Sequence, residues 1–88
     1  MIYEIFSKPG CSYCEEAKKL LSSAGLSYTE AILDMNQEKE AGVRYYTVAE
    51  LQTLVPGVRS VPQIFAAEDL FEPKVLIGGF EALKKHLA

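Results

Sequence analysis

Two cysteines separated by two residues are the part of this chain best suited to chemistry. Cys11 and Cys14 are its only cysteines among 88 residues. A disulfide between them closes so short a loop that it removes little entropy from the unfolded chain, which argues against a structural staple. A thiolate attacks a disulfide, and a neighbouring thiol can then complete the exchange. The pair therefore indicates thiol–disulfide chemistry, and an incidental pair of buried thiols is the alternative.

The elements around the pair favour one active thiol. Residues 2–6 predict a strand and residues 12–24 a helix, so Cys11 lies at a helix N-terminus. Unpaired backbone N–H groups and the helix dipole stabilise an anion there, and such thiols have pKa values of roughly 3.5 to 7.5. Lys8 adds a positive charge nearby. Cys14 lies on the apolar stripe of the helix, so we expect Cys11 to attack and Cys14 to resolve the mixed disulfide.

The rest of the pattern predicts a single α/β domain covering residues 1–88. Its order is β-α-β-α-β-β-α, giving a four-stranded mixed sheet flanked by helices, with a right-handed first crossover. A polar segment, 36–40, is either a solvated loop or a short surface helix. After the first strand and helix, the predicted strands are 27–34, 61–65 and 74–77, and the predicted helices begin at Thr47 and at Phe80.

Val61-Pro62 opens the third predicted strand. Proline at a strand start is often an ordinary edge device, and only about 5–6% of X–Pro bonds in folded proteins are cis. With a Cys-x-x-Cys pair upstream in a βαβ unit, we expect a cis bond here. The Val61 backbone groups would then face outward and pair with an extended thiol substrate.

Gly78-Gly79 precedes the last helix and has two interpretations. One is a flexible turn from strand to helix. The other is a close backbone approach whose N–H groups bind a carboxylate at the helix N-terminus, with Glu81 receiving an amine. Tyr13 likewise either covers the edge of the core or lines the thiol site.

Composition excludes several classes of function. The net charge of −3 argues against a nucleic-acid-binding protein. The mean hydropathy of +0.05 and the lack of a long apolar run predict no membrane span. The first residues carry no secretory pattern, so we expect a cytoplasmic protein with reduced thiols. A structural zinc site needs about four ligands, and with only Cys11, Cys14 and His86 as candidates we expect no metal.

Three motifs in order make the chain resemble a glutaredoxin over nearly its whole length. This resemblance implies a thioredoxin-like fold, reduction of disulfides by glutathione as co-substrate, and no tightly bound cofactor. The motifs are Cys11-Ser12-Tyr13-Cys14, similar to the family's Cys-Pro-Tyr-Cys, Arg59-Ser60-Val61-Pro62-Gln63-Ile64-Phe65, and Ile77-Gly78-Gly79-Phe80-Glu81.

The resemblance also implies which residues contact glutathione. One set holds the glycine carboxylate and the cysteinyl unit, and another meets the γ-glutamyl end. The first set is Lys8, Arg59, Tyr13 lining the groove, the Val61 backbone and cis Pro62; the second is Gly79, Phe80 and Glu81.

The chain also departs from the family pattern. Ser12 replaces the usual proline, and Ala49 occupies the position of a glutamine that contacts glutathione in many members, leaving Gln52 or Arg44 as substitutes. The segment 66–76 is longer than the usual hairpin; it is either a partner contact or a tolerated insertion.

The resemblance leaves the partners open. The Gly-Gly-Phe-Glu form is similar to glutaredoxins of bacterial viruses that serve ribonucleotide reductase, which suggests that enzyme as a partner. Two other functions stay open, a redoxin reduced by thioredoxin reductase and a carrier of a 2Fe–2S cluster ligated by Cys11 and glutathione. We expect a monomer that binds glutathione and disulfide-containing proteins, but neither nucleic acid nor membranes.

Overall fold

The chain folds into one mixed β-sheet with helices on both faces. The computed structural model describes residues 1–69 and 71–88. The predicted order of elements is present with one additional strand. The elements are β1 (Ile2–Ser7), α1 (Ser12–Ser23), β2 (Tyr28–Leu33), β3 (Arg44–Tyr46), α2 (Val48–Leu54), β4 (Gln63–Ala67), β5 (Val75–Gly78) and α3 (Phe80–Leu87).

The sheet order β3-β2-β1-β4-β5 brings several chain segments to one end of the sheet. β1 pairs with β2 and β2 with β3 in parallel, whereas β4 is antiparallel to both β1 and β5. The carboxyl ends of the three parallel strands therefore meet the start of β4. α1 and α2 begin at this same end, which we call the thiol end.

The prediction of four strands was wrong, because β3 makes a fifth. It has only three residues, too few to show the alternation by which a strand is recognised. Burial of Tyr46, 1% exposed, stabilises it. The Tyr46 ring packs edge-on against Phe6 with centroids 5.0 Å apart. The polar segment 36–40 before it is a loop and not a helix.

Alternating side chains divide the core between the two faces of the sheet. Ile5 faces α1 and α3, and its neighbour Phe6 faces α2. Such alternation is what a sheet covered on both faces requires. The buried residues on the α1 and α3 face are Tyr3, Ile5, Ala17, Leu21, Ile64, Ala66 and Leu83. Those on the α2 face are Phe6, Ala31, Tyr46, Leu51 and Phe65.

Element boundaries follow local capping and backbone chemistry. The Thr47 hydroxyl accepts a hydrogen bond from the Glu50 N–H at 3.1 Å, so Thr47 is the N-cap of α2, as its spacing predicts. Gly25 follows α1 with a φ of 74°. β4 begins at Gln63, after the Val61-Pro62 pair. Gly78, which lies just beyond the predicted strand 74–77, instead belongs to β5.

Charged side chains cover part of the α2 face. Glu4 accepts from Lys74 at 2.7 Å and is also paired with Arg44. The two cations lie 5.5 Å and 5.4 Å from the centroid of the Phe6 ring, close enough for cation–π contact. Arg44 in β3 and Lys74, the residue before β5, thus both pair with Glu4 of β1 above a buried ring.

The connection between β4 and β5 lies at the end of the sheet opposite the thiol end, because β4 runs away from the thiol end and β5 returns to it. The antiparallel pairing of the two strands, predicted from the sequence, is present, while Leu70 within the predicted 66–76 segment lies outside the described residues. Among the residues described, no helix is long and apolar enough to cross a membrane.

Candidate active site

The two cysteines lie at the first turn of α1. Cys11 is its N-cap, and the Cys14 N–H points at the Cys11 Sγ at 3.2 Å. The cysteines are joined as a disulfide, with Cα atoms 5.3 Å apart. Cys11 is half-buried, whereas Cys14 is 1% exposed. A backbone N–H aimed at sulfur stabilises a thiolate. The greater exposure of Cys11 than of Cys14 is the difference that the sequence predicts.

The strand leading to this turn is held from two sides. The buried Tyr46 hydroxyl donates to the Ser7 carbonyl at 2.8 Å. The Ser7 hydroxyl, in a residue 2% exposed, donates to a Glu30 carboxylate oxygen at 2.6 Å. Lys18 on α1 pairs with Glu30 at 3.0 Å and with Glu15 at 2.9 Å. These contacts join β1, β2, β3 and α1 immediately before the loop to the first cysteine.

Two of these groups have shifted pKa values. Burial raises the pKa of Tyr46 to about 12 because the phenolate form would lose hydration. Burial works against the charge on Lys18, but hydrogen bonds to Glu15 and Glu30 outweigh it and raise the pKa of Lys18. Both groups therefore keep the proton that their hydrogen bonds need at neutral pH.

The Val61-Pro62 peptide bond is cis, as predicted. Pro62 is buried, and the Val61 carbonyl oxygen lies 3.8 Å from the Cys11 sulfur. A Cβ atom on Gly79 would stand 3.5 Å from the Pro62 carbonyl oxygen, so the start of α3 approaches this turn closely. The start of α1 thus adjoins the Val61-Pro62 turn, and the start of α3 adjoins the same turn.

Two surface depressions adjoin the Val61 turn. The first, the basic cavity, has a volume of about 170 Å³. Its charged lining residues are Lys8 and Arg59, and neither forms an ion pair within the described parts of the chain. An anionic group is the ligand that these charges favour. The basic cavity is lined by Lys8, Leu33, Tyr46, Val48, Leu51, Val58, Arg59, Ser60 and Val61.

The second depression, the aromatic groove, has a volume of about 400 Å³. The rings of Tyr13 and Phe80 approach each other there, with centroids 5.9 Å apart. Glu81 is its charged lining residue, so the two depressions differ in the sign of their charge. The aromatic groove is lined by Tyr13, Ser60, Val61, Pro62, Gly79, Phe80, Glu81 and Ala82.

The structure brings all the sequence-predicted site residues to the thiol end of the sheet. The eight predicted binding residues line one depression or the other, and the Cys11 sulfur lies 3.8 Å from the carbonyl of Val61, one of the residues that line both. Ser60, which lines both, was not singled out from the sequence, although its place before Val61-Pro62 would have identified it. Val48, at the start of α2, was also not singled out.

Arg44, considered as a substitute for the missing glutamine, is directed elsewhere, since it pairs with Glu4 on the sheet. A larger cavity of about 760 Å³ also lies away from the cysteines, with Met1, Leu76, Lys85 and His86 in its lining. Among the described residues, no three His, Cys, Asp or Glu side chains are arranged to hold a metal.

Comparisons with known proteins agree with this geometry. The family model described as Glutaredoxin matches residues 3–71. The chain is 38% identical over 80 residues to a glutaredoxin of Neisseria meningitidis, covering 90% of this chain and 76% of that protein. It is 40% identical over 62 residues to Glutaredoxin 3 of Escherichia coli, covering 70% of this chain and 64% of that protein.

A longer relative is the hybrid peroxiredoxin hyPrx5 of Haemophilus influenzae. It is 36% identical over 84 residues, which cover 96% of this chain. The chain spans only 28% of that protein's length.

Solved structures show the same fold. Reduced Escherichia coli glutaredoxin aligns with a TM-score of 0.57 at 25% identity, covering 99% of this chain and 93% of that one. Glutaredoxin 1 from Francisella tularensis, complexed with cacodylate, aligns with a TM-score of 0.62 at 24% identity, covering 97% and 90%. The thioredoxin-like fold, the Cys-x-x-Cys pair at a helix start and the family match agree, and the chain belongs to the glutaredoxin family.

Proposed function

We propose that the protein is a glutathione-dependent thiol–disulfide oxidoreductase. The observation that carries this proposal is the position of the Cys11 sulfur, 3.8 Å from the carbonyl of Val61, which lines both depressions. Glutathione has a carboxylate at one end and an amine with a second carboxylate at the other. Lys8 and Arg59 suit the glycine carboxylate, while Glu81 and the N-terminus of α3 suit the γ-glutamyl end.

The reaction with a protein disulfide proceeds in two exchanges. The Cys11 thiolate attacks one substrate sulfur, forms a mixed disulfide and releases the other substrate sulfur as a thiolate, which takes up a proton. The Cys14 thiol then loses its proton and attacks the Cys11 sulfur. This step releases the second substrate thiolate and leaves the Cys11–Cys14 disulfide, the form that the structure holds.

Two glutathione molecules restore the dithiol. The first thiolate attacks the Cys11 sulfur, joins glutathione to Cys11 and releases the Cys14 thiolate. The second attacks the sulfur of the bound glutathione, giving glutathione disulfide and the Cys11 thiolate. The half-buried Cys11 is open to these attacks, whereas the buried Cys14 is not, and this difference supports the assignment of roles.

We propose that the protein acts as a monomer with a single domain in the reducing cytoplasm. Protein disulfides are its proposed substrates. Ribonucleotide reductase is one proposed acceptor, supported by the Gly78-Gly79-Phe80-Glu81 sequence. The similarity to part of a hybrid peroxiredoxin supports a peroxiredoxin disulfide as a second acceptor.

A coupled assay tests the source of electrons. The reduced protein is given a small mixed disulfide of glutathione, with NADPH and either glutathione plus glutathione reductase or thioredoxin reductase alone. We expect turnover with the glutathione system. Turnover in the thioredoxin reductase arm, without turnover in the glutathione arm, would contradict the proposal and establish the alternative redoxin function.

An absorption spectrum tests the cluster carrier. Protein purified without oxygen in the presence of glutathione should be colourless and monomeric. A visible absorption band in a dimeric fraction would instead support a 2Fe–2S cluster held by Cys11 and glutathione.

A further inference from the structure

The loop that carries the nucleophile is held at its ends and not along its length. Residues 8–10, which connect β1 to Cys11, are all exposed, so core packing does not fix them. The residue before them, Ser7, is the last of β1 and only 2% exposed. The position of Cys11 therefore depends on what fixes Ser7 on one side and the start of α1 on the other.

One carboxylate oxygen of Glu30 contacts both sides. Glu30 Oε2 accepts a hydrogen bond from the Ser7 hydroxyl at 2.6 Å, and the same oxygen lies 3.0 Å from the Lys18 Nζ. Lys18 also pairs with Glu15 at 2.9 Å, and the Glu15 N–H donates to the Cys11 carbonyl at 3.2 Å in the first turn of α1. A single atom of β2 thus joins the last residue of β1 to α1. We call Ser7, Glu30 and Lys18 the Glu30 clamp.

Partial burial makes this clamp stronger than an ordinary surface ion pair. The side chains of Lys18 and Glu30 are 18% and 25% exposed, so water and salt screen their interaction only weakly. By contrast, Lys19 and Glu16 on the same helix are 75% and 56% exposed and 3.9 Å apart, a geometry that contributes little. The clamp therefore resists displacement of α1 from the end of β1 more than an exposed pair could.

We propose that Glu30 is a positioning residue for the nucleophile. One of its oxygens holds Ser7 and Lys18, and with them the two ends of the loop. The Cys14 N–H therefore stays directed at the Cys11 sulfur, 3.2 Å away. Because that N–H stabilises the thiolate, the clamp raises the fraction of Cys11 that can attack at neutral pH. This inference rests on the proposed function, since it concerns the same thiol.

Alkylation of Cys11 by iodoacetamide across a pH series tests the proposal. The reaction is measured in reduced Cys14→Ser protein, which keeps the backbone N–H and leaves one thiol to react. Ser7→Ala removes the hydroxyl from the clamp and changes no charged side chain. We expect it to move the midpoint of the pH profile upward by about 0.5–1 pH unit, part of what a hydrogen bond to an anion contributes. Ser7→Thr, which keeps a hydroxyl, should restore the midpoint.

A second substitution identifies Glu30 as the residue through which Ser7 acts. Glu30→Val removes the acceptor and places a residue that suits a strand. In that protein Ser7→Ala should shift the midpoint no further, because the hydroxyl has already lost its partner. The comparison is made within one background, so the charge lost with Glu30 cancels.

Tyr3→Phe is the matched control for a loss of stability alone. Tyr3 also lies on β1, is buried and has a side-chain hydrogen bond, to His86 at 3.3 Å, but it is near the other end of the strand. Urea unfolding measures the stability of Ser7→Ala and Tyr3→Phe, and only Ser7→Ala should move the alkylation midpoint. Ser7→Val, compared with Ser7→Thr of the same shape, covers the event that alanine impairs folding.

Three outcomes would overturn the positioning role. The first is an unchanged or lowered midpoint in folded Ser7→Ala protein, the second is an equal shift from Ser7→Ala with and without Glu30, and the third is an equal shift in Tyr3→Phe. Each would leave glutathione-dependent turnover of the unaltered protein intact. Loss of that turnover would reject the proposed function and leave these thiol measurements in place.

Discussion

The Val61 carbonyl oxygen lies 3.8 Å from the Cys11 sulfur, although the two residues are 50 positions apart in sequence. Pro62 is buried in this turn, and the parallel β1 strand leads to Cys11 at the same end of the sheet. The Val61 backbone, which we propose pairs with a substrate, and the Cys11 sulfur, which we propose attacks it, are consequently positioned by the same packed core.

The two cysteines should differ in their effect on activity. Cys11→Ser should reduce the glutathione-coupled turnover of a small mixed disulfide to the uncatalysed rate, because it removes the nucleophile. Cys14→Ser should keep substantial activity, since glutathione can attack the Cys11 adduct directly. Steady-state rates of both variants provide the measurement, and an active Cys11→Ser protein beside an inactive Cys14→Ser protein would reverse the assigned roles.

The basic cavity should contribute to glutathione affinity. Lys8→Gln and Arg59→Gln should each raise the KM for glutathione about fivefold, which corresponds to about 1 kcal/mol for an exposed charge contact, with kcat little changed. The effect should shrink as salt concentration rises. Lys19→Gln is the control, because Lys19 is exposed and its charge partner, 3.9 Å away, is Glu16. A KM that responds equally to all three changes would argue against an anion site.

Gly78 should be the least replaceable glycine near the site. Its φ is 124°, and an added Cβ would stand 2.9 Å from the Ala82 Cβ in α3. Gly78→Ala should therefore cost about 2–5 kcal/mol of unfolding free energy, from backbone strain and overpacking. Gly25→Ala should cost about 1–2 kcal/mol, since Gly25 has a φ of 74° but open space around it. Urea titrations of the two variants measure this, and equal losses would show that contact with α3 is unimportant.

Stability should decrease in alkali partly because of Tyr46. Its pKa rises to about 12 in the folded protein from 10.0, so the folded state holds its proton more tightly than the unfolded chain. The contribution of Tyr46 to the free energy of unfolding is complete below about pH 10 and is lost as pH rises through about 12. The free energy of unfolding then falls by at most about 1.4 kcal/mol per pH unit.

Tyr46→Phe tests that pH dependence. The variant loses the bond to Ser7 and is less stable at pH 8, but its stability should decline less between pH 9.5 and 11. The raised pKa of Lys18 acts in the same direction in both proteins, so the difference between them isolates Tyr46. Parallel curves for the two proteins in urea unfolding would contradict the assignment.

Much of the site was predictable because its chemistry is local in sequence. The strand, loop and helix around Cys11 and Cys14 follow from hydrophobic periodicity and turn residues, and α1 places the two thiols as expected. The family resemblance selected residues that do line the two depressions, and their roles toward glutathione stay predictions.

What the sequence concealed depends on tertiary contacts. β3 exists because Tyr46 packs on Phe6 and donates to Ser7, contacts with residues some forty positions away. Arg44 looked available for a ligand, yet its partner Glu4 is 40 positions away. Gly78 stays within β5 because the pairing with β4 shifts register between Ile64 and Phe65.

The direction of β4 has a consequence for how this domain tolerates additions. Because β4 runs antiparallel to β1, the chain moves away from Cys11 as it passes from Gln63 to Ala67. Asp69, which accepts from the Phe71 and Glu72 N–H groups, closes the hairpin at the opposite end of the sheet. Length changes or a grafted epitope can therefore be placed at this remote turn while the thiol and its approach route stay unobstructed.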